Sequence, residues 1–90
     1  MVYGVTQGPR LETAAEIKKY QKDGCHIIGM TAMPECSLAK EIGISYAIIA
    51  FVVNWCAGIN DSSSEIDHSK IVEISNNTVS ILKKLIIKLL

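Results

Sequence analysis

Apolar runs alternate with polar turns along this chain, and their lengths predict strands and helices in alternation. Residues 2–6 and 26–30 are short and rich in apolar side chains, which predicts two strands. Residues 46–53 are almost unbroken in hydrophobicity, as is typical of a strand that is covered on both faces. The pattern therefore predicts three strands, each ending at a polar or glycine-containing segment.

Three segments between and after these runs have the apolar spacing of helices. Residues 12–22 predict a helix with Gly24 at its C-terminal cap, and residues 35–42 predict a second that ends before Gly43. Residues 65–90 predict a long C-terminal helix with one apolar side. Strand, helix, strand, helix, strand, helix is the order of an α/β fold with parallel strands and crossover helices.

A sheet of three strands is only a partial one. The strand predicted at residues 46–53 needs cover on both faces and a neighbour on both edges, and 90 residues supply few elements to provide them. We therefore expect residues 1–90 to be one small domain that is a fragment, a swapped assembly or an obligate oligomer.

Composition removes several function classes. Nine basic and nine acidic residues cancel, without a basic stripe for nucleic acid. The apolar run at residues 44–53 is about ten residues long, too short to span a bilayer, and no charged leader precedes the first strand. Three cysteines lack metal-ligand spacing, so we expect reduced thiols, no bound metal and a cytoplasmic, membrane-free protein.

Three polar segments follow the predicted strands, at the sheet edge where α/β proteins bind ligands. Residues 6–16 read TQGPRLETAAE, residues 29–35 read GMTAMPE and residues 52–54 read VVN. In this order and with these gaps they resemble the trimeric purine nucleoside phosphorylase and methylthioadenosine (methylthioinosine) phosphorylase family. The resemblance implies a partial phosphorylase-type sheet, with residues 1–90 as the C-terminal part of a domain whose N-terminal half is absent.

Carried over residue by residue, the resemblance implies a substrate site. Leu11 would lie over the purine and Glu12 would accept a hydrogen bond from its N1–H. Met30 would pack against the ribose, Thr31 would bind the phosphate, and Asn54 would face O6 and N7. His68, at the start of the last helix, would contact the 5′ substituent.

The residues taken alone also permit plainer roles. Met30 fits core packing, Thr31 fits a hydroxyl in the N-cap region ahead of Pro34, and Glu12 fits a first-turn carboxylate that favours the helix dipole. His68 fits a surface residue near a helix start.

The implied reaction is phosphorolysis of a purine nucleoside by inorganic phosphate in purine salvage, with no other cofactor. Negative charge builds on the departing purine, and the hydrogen bonds of Asn54 would strengthen as it leaves. A neutral amide suits a 6-oxopurine, whereas relatives that cleave methylthioadenosine carry aspartate at this position. We expect S-methyl-5′-thioinosine or S-methyl-5′-thioadenosine as substrate, with Asn54 as the catalytic residue.

Two alternatives stay open at this point. One is an inosine or guanosine phosphorylase, and the other is a truncated α/β module without catalysis. The family's other phosphate contacts have no counterpart here, and a dianion needs several donors. We therefore expect the chain alone to be weak or inactive, and the complete enzyme to be a homo-oligomer, a trimer in the family.

Overall fold

The computed structural model describes residues 1–63 and 65–90. In chain order these form β1 (Tyr3–Val5), α1 (Ala14–Lys22), β2 (Ile27–Gly29), α2 (Glu35–Glu41), a short 3-10 helix (Asn60–Ser62) and α3 (His68–Leu89). The predicted α/β class and the long C-terminal helix are thereby confirmed. The residues divide into two compact units, Met1–Ala50 and Phe51–Leu90.

The first unit is built around a parallel pair of strands. Tyr3 lies opposite Ile27 and Val5 lies opposite Gly29, and α1 makes the crossover between the strands. Parallel strands need such a crossover, so the pairing confirms the parallel arrangement predicted from the alternating pattern. Ile17 on α1 is only 3% exposed and forms the centre of a small core.

Local signals fix where α1 begins and ends. Thr13 is its N-cap, and the Thr13 side chain accepts a hydrogen bond from Glu16 N while the Glu16 side chain accepts one from Thr13 N. Because this capping box satisfies amides that the first helical turn leaves unpaired, α1 starts at Ala14 rather than at residue 12. Gly24 follows the helix with φ +85°, in the left-handed region that glycine tolerates, which confirms its predicted capping role.

The third strand predicted at residues 46–53 is wrong for this chain. Residues 44–53 have no helix or strand in the structure, and Ile48 and Ile49 are 45% and 51% exposed. A strand exists only where a neighbouring strand takes up its backbone hydrogen bonds, and among the described residues the sheet contains β1 and β2 alone. Residues 44–53 thus have an apolar sequence but lack the neighbouring strands and helices that would bury it.

The second unit consists of the 3-10 helix followed by α3. Asp67 caps α3, and its carboxylate accepts hydrogen bonds from Ser69 N and Lys70 N. The helix consequently begins at His68, three residues later than predicted. Within residues 1–63 and 65–90, no helix combines the length and the apolar character that crossing a bilayer requires.

Candidate functional site

The loops that follow β1 and β2 lie against each other in the first unit. Thr6 N donates a hydrogen bond of 2.9 Å to Gly29 O and so extends the parallel pairing beyond Val5. A Cβ built on Gly8 would stand 2.6 Å from Met30 Sδ, so the Met30 side chain packs on the Gly8 main chain. The two sequence motifs that follow these strands are thus brought together at the carboxyl ends of the strands.

The loop after β1 is held by one carboxylate. Glu16 pairs with Arg10 (Nη1 to Oε1, 2.9 Å), and the same Oε1 accepts hydrogen bonds of 3.0 Å from Thr13 N and Thr13 Oγ1. The Arg10 hydrogen bond, with those from Thr13, lowers the pKa of Glu16 from 4.5 to about 2. Arg10 also donates to Leu11 O at 3.1 Å, so the loop is tied to the start of α1.

Leu11 and Glu12 therefore occupy a fixed stretch of backbone between Arg10 and the α1 cap. Both side chains are half-buried. Glu12 lies two positions before the first helical residue, so it is outside the first turn of α1. Its carboxylate accepts no hydrogen bond from the described residues, which leaves its acceptor capacity for another group.

Met30 and Thr31 sit at the other loop. Met30 is 38% exposed, more than a core methionine would be, and Thr31 is exposed beside the buried Ala32. The N-cap of α2 is Pro34, without a side-chain hydrogen bond, so the Thr31 hydroxyl does not cap this helix. In the described part of the chain the Thr31 hydroxyl has no hydrogen-bond partner, and it is free to donate to a ligand.

Asn54 belongs to the second unit and lies at a bend instead of the predicted strand end. Its Nδ2 donates to Trp55 O at 2.7 Å. An amide nitrogen carries two protons, so one N–H and the Oδ1 acceptor remain for a ligand. A cavity of about 310 Å³ opens here, with Asn54, Trp55, Asp61, Asp67 and Lys70 among the residues that line it.

Asp67 both lines this cavity and caps the start of α3. Hydrogen bonds from the Ser69 hydroxyl and from the Lys70 and Ser69 amides hold the pKa of Asp67 below its usual value. His68, the first residue of α3, is exposed and is not among the cavity-lining residues. Its predicted contact with the 5′ substituent stays a prediction.

The remaining titratable candidates have ordinary structural roles. His26 Nδ1 accepts a hydrogen bond of 2.9 Å from Val2 N, so this exposed side chain helps to hold the first strand. Cys25 and Cys36 are free thiols, and all three cysteines, Cys56 included, are half-buried. Over residues 1–63 and 65–90, no three His, Cys, Asp or Glu side chains are grouped to hold a metal ion.

The structure thus gathers part of the predicted site and adds a feature to it. Met30 meets the first loop through Gly8, and Leu11 and Glu12 follow directly along that loop. The Arg10–Glu16 pair and the capping box were not predicted. A Thr-x-x-Glu spacing at residues 13–16 ahead of an apolar face is a sequence signature of a capping box. The cap could therefore have been predicted from the sequence alone.

A family model and several curated proteins match most or all of this chain. The family model described as the phosphorylase superfamily matches residues 1–90. A protein of Xylella fastidiosa strain Temecula1 named "probable S-methyl-5′-thioinosine phosphorylase" is 50% identical over 86 residues, 96% of this chain and 34% of the relative. A protein of Pyrococcus furiosus named "6-oxopurine nucleoside phosphorylase" is 42% identical over 85 residues, 94% of this chain and 31% of the relative.

A third relative gives the same picture over a shorter stretch. The Pseudomonas syringae pv. tomato protein named "probable S-methyl-5′-thioinosine phosphorylase" is 60% identical over 57 residues, 63% of this chain and 23% of the relative. The chain therefore spans about a third or less of the length of these curated relatives.

Proposed function

This chain belongs to the phosphorylase superfamily, and from that premise we propose that it forms part of a purine nucleoside phosphorylase acting on S-methyl-5′-thioinosine. The observation that carries the proposal is the 50% identity, over 96% of this chain, to a relative named for that activity. The reaction would transfer the methylthioribosyl group from hypoxanthine to inorganic phosphate. The free hypoxanthine would enter purine salvage in the cytoplasm, and methylthioribose 1-phosphate would be the second product.

Asn54 is the residue we propose for recognition of the base. Its Oδ1 would accept from a protonated N7, and its remaining N–H would donate to O6 while the other N–H stays on Trp55 O. The purine gains negative charge as the glycosidic bond lengthens, so the bond from the Asn54 N–H to O6 grows stronger, and N7 becomes basic enough to take a proton from water and then donate a hydrogen bond to Oδ1. Asn54 thereby favours a 6-oxopurine over adenine, whose 6-amino group would need an acceptor.

The loop pair of the first unit supplies the other proposed contacts. Glu12, without a hydrogen bond from the described residues, would accept the N1–H that a 6-oxopurine carries and adenine lacks. Leu11 would cover the purine ring, and the exposed part of Met30 would pack against the ribose. Thr31 would donate its unpaired hydroxyl to a phosphate oxygen.

The activity would belong to a complete phosphorylase domain and not to the isolated chain. A phosphate dianion needs several donors, and the loop pair described here offers the Thr31 hydroxyl. We propose that residues 1–90 are one part of that domain and that the complete enzyme is a homo-oligomer, a trimer as the family resemblance implies. Phosphate is the only co-substrate in this scheme.

The test replaces the 86 matched residues of the Xylella relative with the corresponding residues of this chain. We expect the chimera to release hypoxanthine from S-methyl-5′-thioinosine only when phosphate is present. Asn54→Asp in the chimera should lower this rate about 100-fold, because the donor to O6 is lost, and should raise cleavage of S-methyl-5′-thioadenosine. The isolated chain, assayed in parallel, should be weak or inactive.

Asn76→Asp is the matched control, because Asn76 is an exposed amide on α3 outside the cavity lining. It should leave both rates unchanged. Inosine tests the alternative 5′-hydroxyl substrate, which the name of the Pyrococcus relative also allows. A chimera that folds but cleaves none of these nucleosides would overturn the proposed function.

A further inference from the structure

The main chain on both sides of Glu12 is held by a single carboxylate. On the N-terminal side, Leu11 O accepts a hydrogen bond of 3.1 Å from Arg10 Nη1, and the same Nη1 donates to Glu16 Oε1 at 2.9 Å. On the C-terminal side, Thr13 N donates directly to Glu16 Oε1 at 3.0 Å. The peptide group before Glu12 and the peptide group after it are thus both tied to Glu16.

This arrangement fixes the direction in which the Glu12 side chain leaves the main chain. A peptide group is planar, so a hydrogen bond to its carbonyl or from its amide orients the whole group. The two peptide groups that flank a Cα atom determine its φ and ψ, and with them the direction of its Cα–Cβ bond. Arg10 and Glu16 therefore set the position of the Glu12 side chain without contacting its carboxylate.

The chemistry of Arg10 suits positioning better than it suits stabilisation. The Arg10 side chain is 67% exposed, and exposed ion pairs add little to the free energy of unfolding because water screens them. Its guanidinium is a planar fork, so it holds both carboxylate oxygens of Glu16, at 2.9 and 3.3 Å, while Nη1 also reaches Leu11 O. A lysine ammonium is a point charge and cannot reproduce this geometry.

We propose that Arg10 is a positioning residue for Glu12 and thereby determines selectivity for purines that carry a proton on N1. The inference rests on the proposed function, in which Glu12 accepts the N1–H of a 6-oxopurine. A carboxylate that is already in place forms this hydrogen bond without losing conformational freedom when the substrate binds, whereas a mobile carboxylate loses it. Adenine has no N1 proton, so holding Glu12 in place strengthens binding of the 6-oxopurine alone.

The kinetic test compares Arg10→Met with the parent in the chimera with the Xylella relative. The bond to N1–H is present in the bound substrate and in the transition state alike, so the KM for S-methyl-5′-thioinosine should rise about fivefold while kcat stays nearly unchanged. The KM values for phosphate and for S-methyl-5′-thioadenosine should stay within about twofold. In a Glu12→Ala background the effect of Arg10→Met should also fall below about twofold, because the carboxylate that Arg10 positions is gone.

Two further variants separate geometry from charge. The hydrogen bond and charge of Glu16, and then the charge of Glu12, raise the pKa of Arg10, so a purely electrostatic role needs its own control. Arg10→Lys keeps the positive charge and loses the fork, so the KM for S-methyl-5′-thioinosine should rise nearly as far as in Arg10→Met. Lys18→Met removes an exposed charge from α1 outside this network and should leave that KM unchanged.

A second test uses this chain alone and needs no activity. In the parent, the NMR order parameter of the Glu12 amide should match that of the α1 backbone, and in Arg10→Met it should fall below about 0.6. Circular dichroism should show unchanged helix content and a nearly unchanged melting temperature, because the capping box of Thr13 and Glu16 stays in place.

Four results would overturn the positioning proposal. They are an unchanged order parameter at Glu12, an equal rise in KM for both nucleosides, the same rise in the Glu12→Ala background, and the parent KM in Arg10→Lys. A parent chimera that cleaves no nucleoside would overturn the proposed function instead, and the order parameter would still decide whether Arg10 positions Glu12.

Discussion

The side chain of Met30 lies on the main chain of Gly8, with 2.6 Å between Met30 Sδ and a Cβ built on that glycine. Gly8 also has φ +43°, which an L-residue adopts at a cost. Gly8→Ala should therefore destabilise the chain by about 2 kcal/mol, from backbone strain and from displacement of Met30. Urea unfolding followed by circular dichroism measures this loss.

Gly24→Ala is the control that separates the two causes. Gly24 has φ +85°, and no atom lies within 4 Å of its added Cβ, so it reports strain alone at about 1 kcal/mol. In a Met30→Ala background the cost of Gly8→Ala should fall to the Gly24→Ala value. An unchanged cost of Gly8→Ala in that background would show that the Met30 contact contributes nothing.

Acid should weaken the first unit through Glu16. The pKa of Glu16 is lowered from 4.5 to about 2 by Arg10 and Thr13, so the bonds of its carboxylate stabilise the fold above pH 4.5. This stabilisation is lost as the pH falls from 4.5 towards 2. Thermal unfolding should show that the melting temperature falls as the pH is lowered through this range. The fall should be smaller in the Glu16→Gln variant than in the parent chain.

Glu73→Gln is the matched control for that experiment. Glu73 is exposed on α3, and its carboxylate forms no hydrogen bond or ion pair with the described residues. Its variant should follow the parent curve between pH 4.5 and 2. If the melting temperature of Glu16→Gln falls with pH as steeply as that of the parent chain, groups other than Glu16 cause the acid sensitivity.

Asp67 should determine where α3 begins. Asp67→Ala removes the acceptor for Ser69 N and Lys70 N, so the first turn should fray and helicity should fall. Asp67→Asn keeps an acceptor oxygen and should keep the turn. Amide chemical shifts of Ser69 and Lys70 measure the difference, and native shifts in Asp67→Ala would contradict the capping role.

Thr31 should act on phosphate and not on the nucleoside. In the chimera, Thr31→Val should raise the KM for phosphate about tenfold or more, because a hydroxyl bond to a charged oxygen is lost. Thr31→Ser keeps the hydroxyl and should stay near the parent value. The KM for S-methyl-5′-thioinosine measured in the same variants should change little, and an equal change in both constants would argue for a structural role.

Sequence patterns predicted those elements that local interactions determine. The helix end at Gly24 follows from the residue itself, because a left-handed backbone there favours glycine. The strand predicted at residues 46–53 failed because hydrophobicity reports a tendency to be buried, whereas a strand also needs neighbours along its edges. Those neighbours are distant in sequence or lie on another polypeptide, so they cannot be predicted from a single apolar run.

The candidate site likewise has parts that the sequence predicted and parts that it did not. Parallel pairing of β1 with β2 follows from the alternating pattern, and it brings the loops of Gly8 and Met30 together as the sequence order predicts. The Arg10–Glu16 pair depends on side chains six positions apart across a turn and a helix cap, which no helical or strand periodicity reveals. Asn54 was expected at a strand end and lies at a bend, because its strand has no partner here.

The sequence contains a single tryptophan, Trp55, and this residue lines the same cavity as Asn54. Trp55 is 53% exposed, so a ligand that fills the cavity would replace part of the water around its indole. The protein therefore carries an intrinsic fluorophore beside the residue that we propose binds the purine. Intrinsic fluorescence can report occupancy at Asn54 without a label, an added chromophore or turnover.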